Sequence, residues 1–198
     1  MSSSLAELPL PLRVRTVAPL TDDELLRFCA AHDELRIERD ANGELIVMSP
    51  AGSESGGKNS DITTDLTIWA RGDGRGKVFD SSAGFVLSDG SIRAADAAWI
   101  AYPRWNALTK KEQRGYAPIC PDFIIELRSP SDVLAELEAK MEMWIANGVQ
   151  LGWLIDPSRR AVGIYRPGQP TRLLENPETV HGEGPVDGLA LPLVEIWK

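Results

Sequence analysis

Apolar positions along the chain change period several times, and each change predicts an element. Thr21 followed three residues later by Glu24 makes a capping box, so a helix is expected to run from there to about His32. Leu35 to Asp40 and Glu44 to Ser49 flank Asn42-Gly43, a turn dipeptide that tolerates positive φ, and this predicts a hairpin. Ser49 to Gly57 reads as a Gly/Ser-rich loop. From Asn59 to Ala70, Ile62, Leu66 and Trp69 share one helical face, with Gly72 as the expected stop. Short strands follow at Lys77 to Asp80, Phe85 to Leu87, Ile92 to Ala94 and Asp96 to Ile100. A short helix is expected near Thr109 to Arg114, then the strongest strand, Phe123 to Leu127. Ser131 to Asn147 is the clearest helix, ended by Gly148, and Leu151 to Ile155 with Val162 to Tyr165 form a second hairpin. The expected fold is a mixed α/β (α+β) domain over residues 21–198, with residues 1–20 as an N-terminal arm or irregular first strand.

Composition narrows this picture. A chain of 198 residues, 43% apolar and 25% charged, can bury one sizeable core without disulfides. No secretory leader or membrane span is expected, because Met1 to Glu7 lacks a basic start and no apolar run approaches the roughly 20 residues a bilayer requires. Cys29 and Cys120 lie far apart with no partner motif, so zinc is not expected and a reducing cytoplasm is the expected setting. The net charge of −8 weighs against indiscriminate attraction to nucleic acid or anionic lipid. The small basic clusters at Arg71, Arg75 and Lys77 and at Lys110, Lys111 and Arg114 read as solvated surface.

Gly52-Ser-Glu-Ser-Gly-Gly-Lys58 fits the first seven positions of a phosphate loop. Asn59 stands where a magnesium-binding hydroxyl belongs, and Glu54 would put negative charge inside an anion nest. A loop capping the next helix is the preferred reading.

The strand Asp122 to Arg128 carries the chemistry. Alternation puts Asp122, Ile124, Glu126 and Arg128 on one face, so Glu126 interrupts an apolar strand. Burying a carboxylate costs several kcal/mol unless it is paired or metal-bound. A salt bridge to Arg128 and a metal site explain it equally well on this strand alone. Asp96 begins a small-residue strand that could lie beside it, and carboxylates from neighbouring strands suit Mg2+, which prefers oxygen and keeps several waters. Asp96 could equally be a strand-end cap. On the helix that follows, Val133, Leu137, Met141, Trp144 and Ile145 share a side at about 100° per residue, and Lys140 falls on its edge. Lys140 there either snorkels from the core boundary or meets an anion.

The run Cys120-Pro-Asp-Phe-Ile-Ile-Glu-Leu-Arg-Ser-Pro-Ser-Asp132 resembles the Uma-two family of restriction-endonuclease-like proteins. Ala94-Ala-Asp-Ala-Ala-Trp-Ile100, Lys140 with Gly148-Val149, and Gly152-Trp-Leu-Ile-Asp-Pro157 extend the resemblance in order along the chain. The family sits in the PD-(D/E)XK nuclease superfamily, which implies a mixed central sheet flanked by helices and a Mg2+-dependent DNA endonuclease, with Mn2+ as a substitute. It implies Asp96 and Glu126 as metal ligands. Arg128 occupies the usual lysine position and cannot readily give up a proton, so the resemblance moves that role to Lys140. Glu54 is the expected further carboxylate, with Glu38 in reserve. Two positions depart from the family pattern: Ala95 replaces the common Pro, and Lys58-Asn59 stands where many members have a His. DNA is the implied partner, and a homodimer would suit cleavage of two strands. A nuclease-fold binding module without catalysis is the rival reading, since fold does not fix function.

Overall fold

The computed structural model describes residues 11–32, 35–48 and 50–198. The N-terminal part begins with β1 (Leu12–Val14), α1 (Asp22–Ala31), β2 (Arg36–Arg39) and β3 (Leu45–Met48). Thr21 and Glu24 cap α1 reciprocally, and β2 pairs antiparallel with β3 around a turn in which Gly43 has φ 82°. The hairpin expected there is present, although Ser49 lies outside the described residues. Residues 12–14 of the expected arm pair with β3.

Next comes α2 (Ser53–Asp73), then β4 (Gly76–Asp80), β5 (Phe85–Val86), β6 (Ile92–Arg93) and β7 (Ala97–Ala101). Helices α3 (Tyr102–Ala107) and α4 (Lys110–Arg114) lead into β8 (Phe123–Leu127), α5 (Leu134–Ala146), β9 (Leu151–Asp156) and β10 (Ala161–Tyr165). The chain ends through β11 (Arg172–Glu175), β12 (Thr179–His181) and β13 (Ala190–Pro192). Three sheets result among the described residues: one of order β1-β3-β2-β6-β5, a central one of order β11-β10-β9-β8-β7-β4, and the two-stranded β12-β13. Within the central sheet only the β8–β9 pair, joined by α5, is parallel, so that sheet is mixed.

Strand β8 is buried at every position because both faces of the central sheet are covered. Phe123, Ile125 and Leu127 pack with Ile62, Leu66 and Ala70 of α2 on one side. Ile124 packs with Met141 and Trp144 of α5 on the other. Glu126 shares the α5 side with Ile124, as the alternation predicts.

The Ser49 to Gly57 expectation is corrected. Helix α2 starts at Ser53, with Gly52 as N-cap, and runs through Gly72 to Gly74, which takes the left-handed conformation at φ 73°. Packing of Ile62, Leu66 and Ala70 against the sheet outweighs the weak helix propensity of Gly56 and Gly57, about 1 kcal/mol each. The phosphate-loop likeness falls with it. Amides are spent within the helix, Gly56 N–H on Gly52 C=O at 2.8 Å, and Lys58 Nζ donates to Glu54 at 2.7 Å. Among the described residues no helix is long and apolar enough to cross a membrane, and both cysteines are free thiols.

Candidate active site

In the register of β7 and β8, Ala97 lies opposite Ile125 and Ala98 opposite Ile124. Continuing that ladder by one step brings Asp96 opposite Glu126, on the same face. Asp96 Oδ2 then accepts the backbone N–H of Leu127 at 2.8 Å, which ties the start of β7 to the end of β8. Glu126 Oε1 accepts the indole N–H of Trp144 at 2.8 Å, and Lys140 Nζ lies 2.9 Å from the same oxygen. Lys140 and Trp144 are one turn apart on α5, so a single helical face holds Glu126.

Each of the two carboxylates therefore has one anchored and one open oxygen. Among the described residues, Glu126 Oε2 accepts no hydrogen bond, and Asp96 Oδ1 has only Arg36 at 3.7 Å. Glu38 differs. It enters from β2 of the other sheet, with Oε1 near the Ala94 N–H (3.2 Å) and Lys140 Nζ (3.3 Å), and Oε2 2.9 Å from Arg93. Both of its oxygens are committed. Lys140 also donates to Ala94 C=O at 2.9 Å, so its three N–H groups face Glu126, Glu38 and that carbonyl.

The electrostatics follow the burial. Glu126 is pushed up to about 7, first by loss of solvent, with the charges of Asp96 and Glu38 adding to it and Lys140 opposing. Burial also works against Glu38, but Lys140, Arg93 and the Ala94 N–H outweigh it and hold that carboxyl below its ordinary value. Burial likewise disfavours the Lys140 charge, but Glu126, Glu38 and Asp96 outweigh it and raise the ammonium. Lys140 thus stays charged while Glu126 is short of positive charge.

Glu54 and Arg128 are placed differently from expectation. Glu54 sits in the first turn of α2 with 74% of its side chain exposed, pairing with Lys58 rather than Lys140. Arg128 binds Asp156 Oδ2 at 2.8 Å instead of Glu126. Residues i and i+2 on one strand lie about 7 Å apart, whereas neighbouring strands are about 4.8 Å apart, so the next strand wins. Arg36, Arg93 and Trp144 join the site beyond the residues the sequence singles out for it. The spacing of Lys140 and Trp144 by four, with Trp144 carrying a buried donor, was the available signal for Trp144.

No group of three or more His, Cys, Asp or Glu able to hold an ion occurs among the described residues. Two carboxylates with an open oxygen each nevertheless fit a hard divalent cation that takes its remaining ligands from water. The donors are all oxygen, and Lys140, the ammonium beside Glu126, is shared with Glu38. The residues present fit the group.

A mixed sheet with these carboxylates on adjacent strands and a lysine on the following helix defines a restriction-endonuclease-like fold. The chain belongs to the Uma2 family, described as "Putative restriction endonuclease", whose family model matches residues 22–194. A crystal structure of a protein from Anabaena variabilis ATCC 29413, titled a putative nuclease belonging to DUF820, has a similar fold. Its TM-score is 0.70 at 21% identity, over 90% of this chain and 98% of that one. A search of curated proteins found no match.

Proposed function

We propose that the protein is a Mg2+-dependent endonuclease that hydrolyses phosphodiester bonds in DNA, with Asp96 and Glu126 holding the metal and Mn2+ able to replace it. The observation that carries this reading is the open oxygen left on each of two anchored carboxylates, Glu126 near the end of β8 and Asp96, which precedes β7 and is tied by its other oxygen to the N–H of Leu127. When bound, the cation supplies Lewis-acid polarisation of the phosphodiester and lowers the pKa of water. The chain's own contribution is positioning. Trp144 and Lys140 fix Glu126 Oε1, the Leu127 N–H fixes Asp96 Oδ2, and Glu38 with Ala94 fixes Lys140. Lys140 also keeps a positive charge beside the place where charge would grow on phosphorus. Membership of the family supports a nuclease, and a symmetric dimer would serve cleavage of both strands.

Metal uptake is tested by thermal unfolding. At ten times its Kd, Mg2+ is expected to add about 1.4 kcal/mol, a rise in Tm of about 3–6 °C for a chain of this size. Because Glu126 must ionise to bind, the rise at one fixed Mg2+ concentration is expected to be larger at pH 8 than at pH 6. The rival reading, a binding module retaining the fold, draws support from the net charge of −8. It predicts no rise with Mg2+ or Mn2+ at either pH, and no cleavage of plasmid DNA.

A further inference from the structure

The pleat of β2 turns Ile37 and Arg39 toward α1 and its surroundings, and turns Arg36 and Glu38 toward the central sheet. Glu38 reaches Lys140 at the buried end. Arg36 stands one pleat repeat further along, about 7 Å, with Nη1 3.7 Å from Asp96 Oδ1.

Neighbouring arginines are spent on short bonds. Arg93 meets Glu38 at 2.9 Å, Arg39 meets Asp22 at 2.7 Å, and Arg128 meets Asp156 at 2.8 Å. Arg36 donates no side-chain hydrogen bond among the described residues, and 3.7 Å is too long for a charge-assisted one. A loose pair of this kind adds little to stability. Arg36 is also the most open of the three cations at the site, with 33% of its side chain exposed against 15% for Arg93 and 19% for Lys140. An uncommitted guanidinium thus stands at the rim, beside the open oxygen of Asp96. It cannot lose its proton, and its planar fork matches two oxygens of a phosphate. In a chain with net charge −8, a polyanion needs such a local cation to approach two carboxylates.

We propose that Arg36 is a substrate-binding residue that grips a phosphate of the bound nucleic acid next to Asp96 and Glu126. The contact with Asp96 aims the side chain at the site without spending its donors. This rests on the nuclease reading above.

The test is fluorescence anisotropy of the full chain with a labelled random-sequence DNA duplex, in Ca2+, over a range of salt concentrations. Arg36→Ala is expected to raise Kd about tenfold and to reduce the slope of log affinity against log salt by about one. Arg36→Lys should restore the slope but only part of the affinity, having lost the fork. The rise in Tm with Mg2+ should persist in Arg36→Ala. Unchanged Kd and slope in Arg36→Ala would overturn the proposal. Loss of the Mg2+-induced rise would overturn it too, because Arg36 would then act only through Asp96. Wild-type protein that takes up Mg2+ but binds no DNA would sink the grip on substrate alone. Wild-type protein that does neither would sink the nuclease reading with it.

Discussion

Replacing Glu126 by Gln is expected to remove metal-dependent DNA cleavage, by about three orders of magnitude or more, while leaving the protein folded. The size follows from the several kcal/mol of transition-state stabilisation a catalytic metal supplies, at about 1.4 kcal/mol per factor of ten. The fold should survive because the amide has the same shape and its oxygen can still accept the Trp144 indole N–H, now at 2.8 Å from Oε1. Lys140 retains Glu38 and the Ala94 carbonyl. The variant also loses a buried group that is costly to ionise above about pH 7. Plasmid cleavage assays with Mg2+, run beside thermal unfolding of both proteins, check the two halves. Cleavage by Glu126→Gln at the wild-type rate would remove this residue from the metal site.

Replacing Lys140 by Met is expected to destabilise the protein by about 3–5 kcal/mol at pH 8, the cost of leaving a buried partner charge uncompensated. Met keeps the volume, so the effect isolates the charge. Two buried carboxylates, Glu126 and Glu38, lose their shared ammonium. The pH dependence has a definite sign. Glu126 already stands at about 7 in the folded state, above its ordinary 4.5, and without Lys140 it rises further. Between the ordinary value and the folded one, the native state binds more protons than the unfolded state, so stability falls as pH rises. The loss in Lys140→Met should therefore be smaller at pH 5.5 than at pH 8. Urea unfolding at the two pH values measures it. Equal losses at both would mean that Lys140 does not balance these carboxylates.

Local signals carried most of the architecture. Strand β8 was legible to the residue, because a five-residue apolar run broken by one Glu has few alternatives, and the cap of α1 was legible because Thr21 and Glu24 satisfy each other locally. Helix α2 is longer than its sequence pattern implies, since Gly56 and Gly57 suggest a loop until their helix packs on the sheet. Helix α3 was missed: Tyr102–Ala107 directly continues β7 with Pro103 in its first turn, and six residues show no periodicity.

The site divides in the same way. Glu126 stands out because it breaks an apolar strand and Lys140 because it falls on the edge of an apolar helix face, whereas the resemblance singles out Asp96; the structure brings the three together. Glu38, held in reserve behind Glu54 on the strength of the resemblance, is the further carboxylate that lies at the site, and its own segment carries no sign of this. Arg36-Ile37-Glu38-Arg39 looks like a solvated strand, and only the meeting of two sheets takes Glu38 to Lys140. Glu54 lies in the region of the first core helix that the resemblance points to, but the helix begins before it and gives it to Lys58. Arg128 and Asp156 pair across parallel strands β8 and β9, a relation that spacing along one strand cannot reveal.

If Asp96 and Glu126 hold a divalent cation through their open oxygens, a crystal soaked in Mn2+ should show it through the anomalous scattering of the ion. One peak is expected within reach of both carboxylates, at the roughly 2.0–2.6 Å of hard-cation coordination, with Lys140 still on Glu126. No peak there at saturating Mn2+, or a peak at Glu54 instead, would overturn the assignment of these two residues.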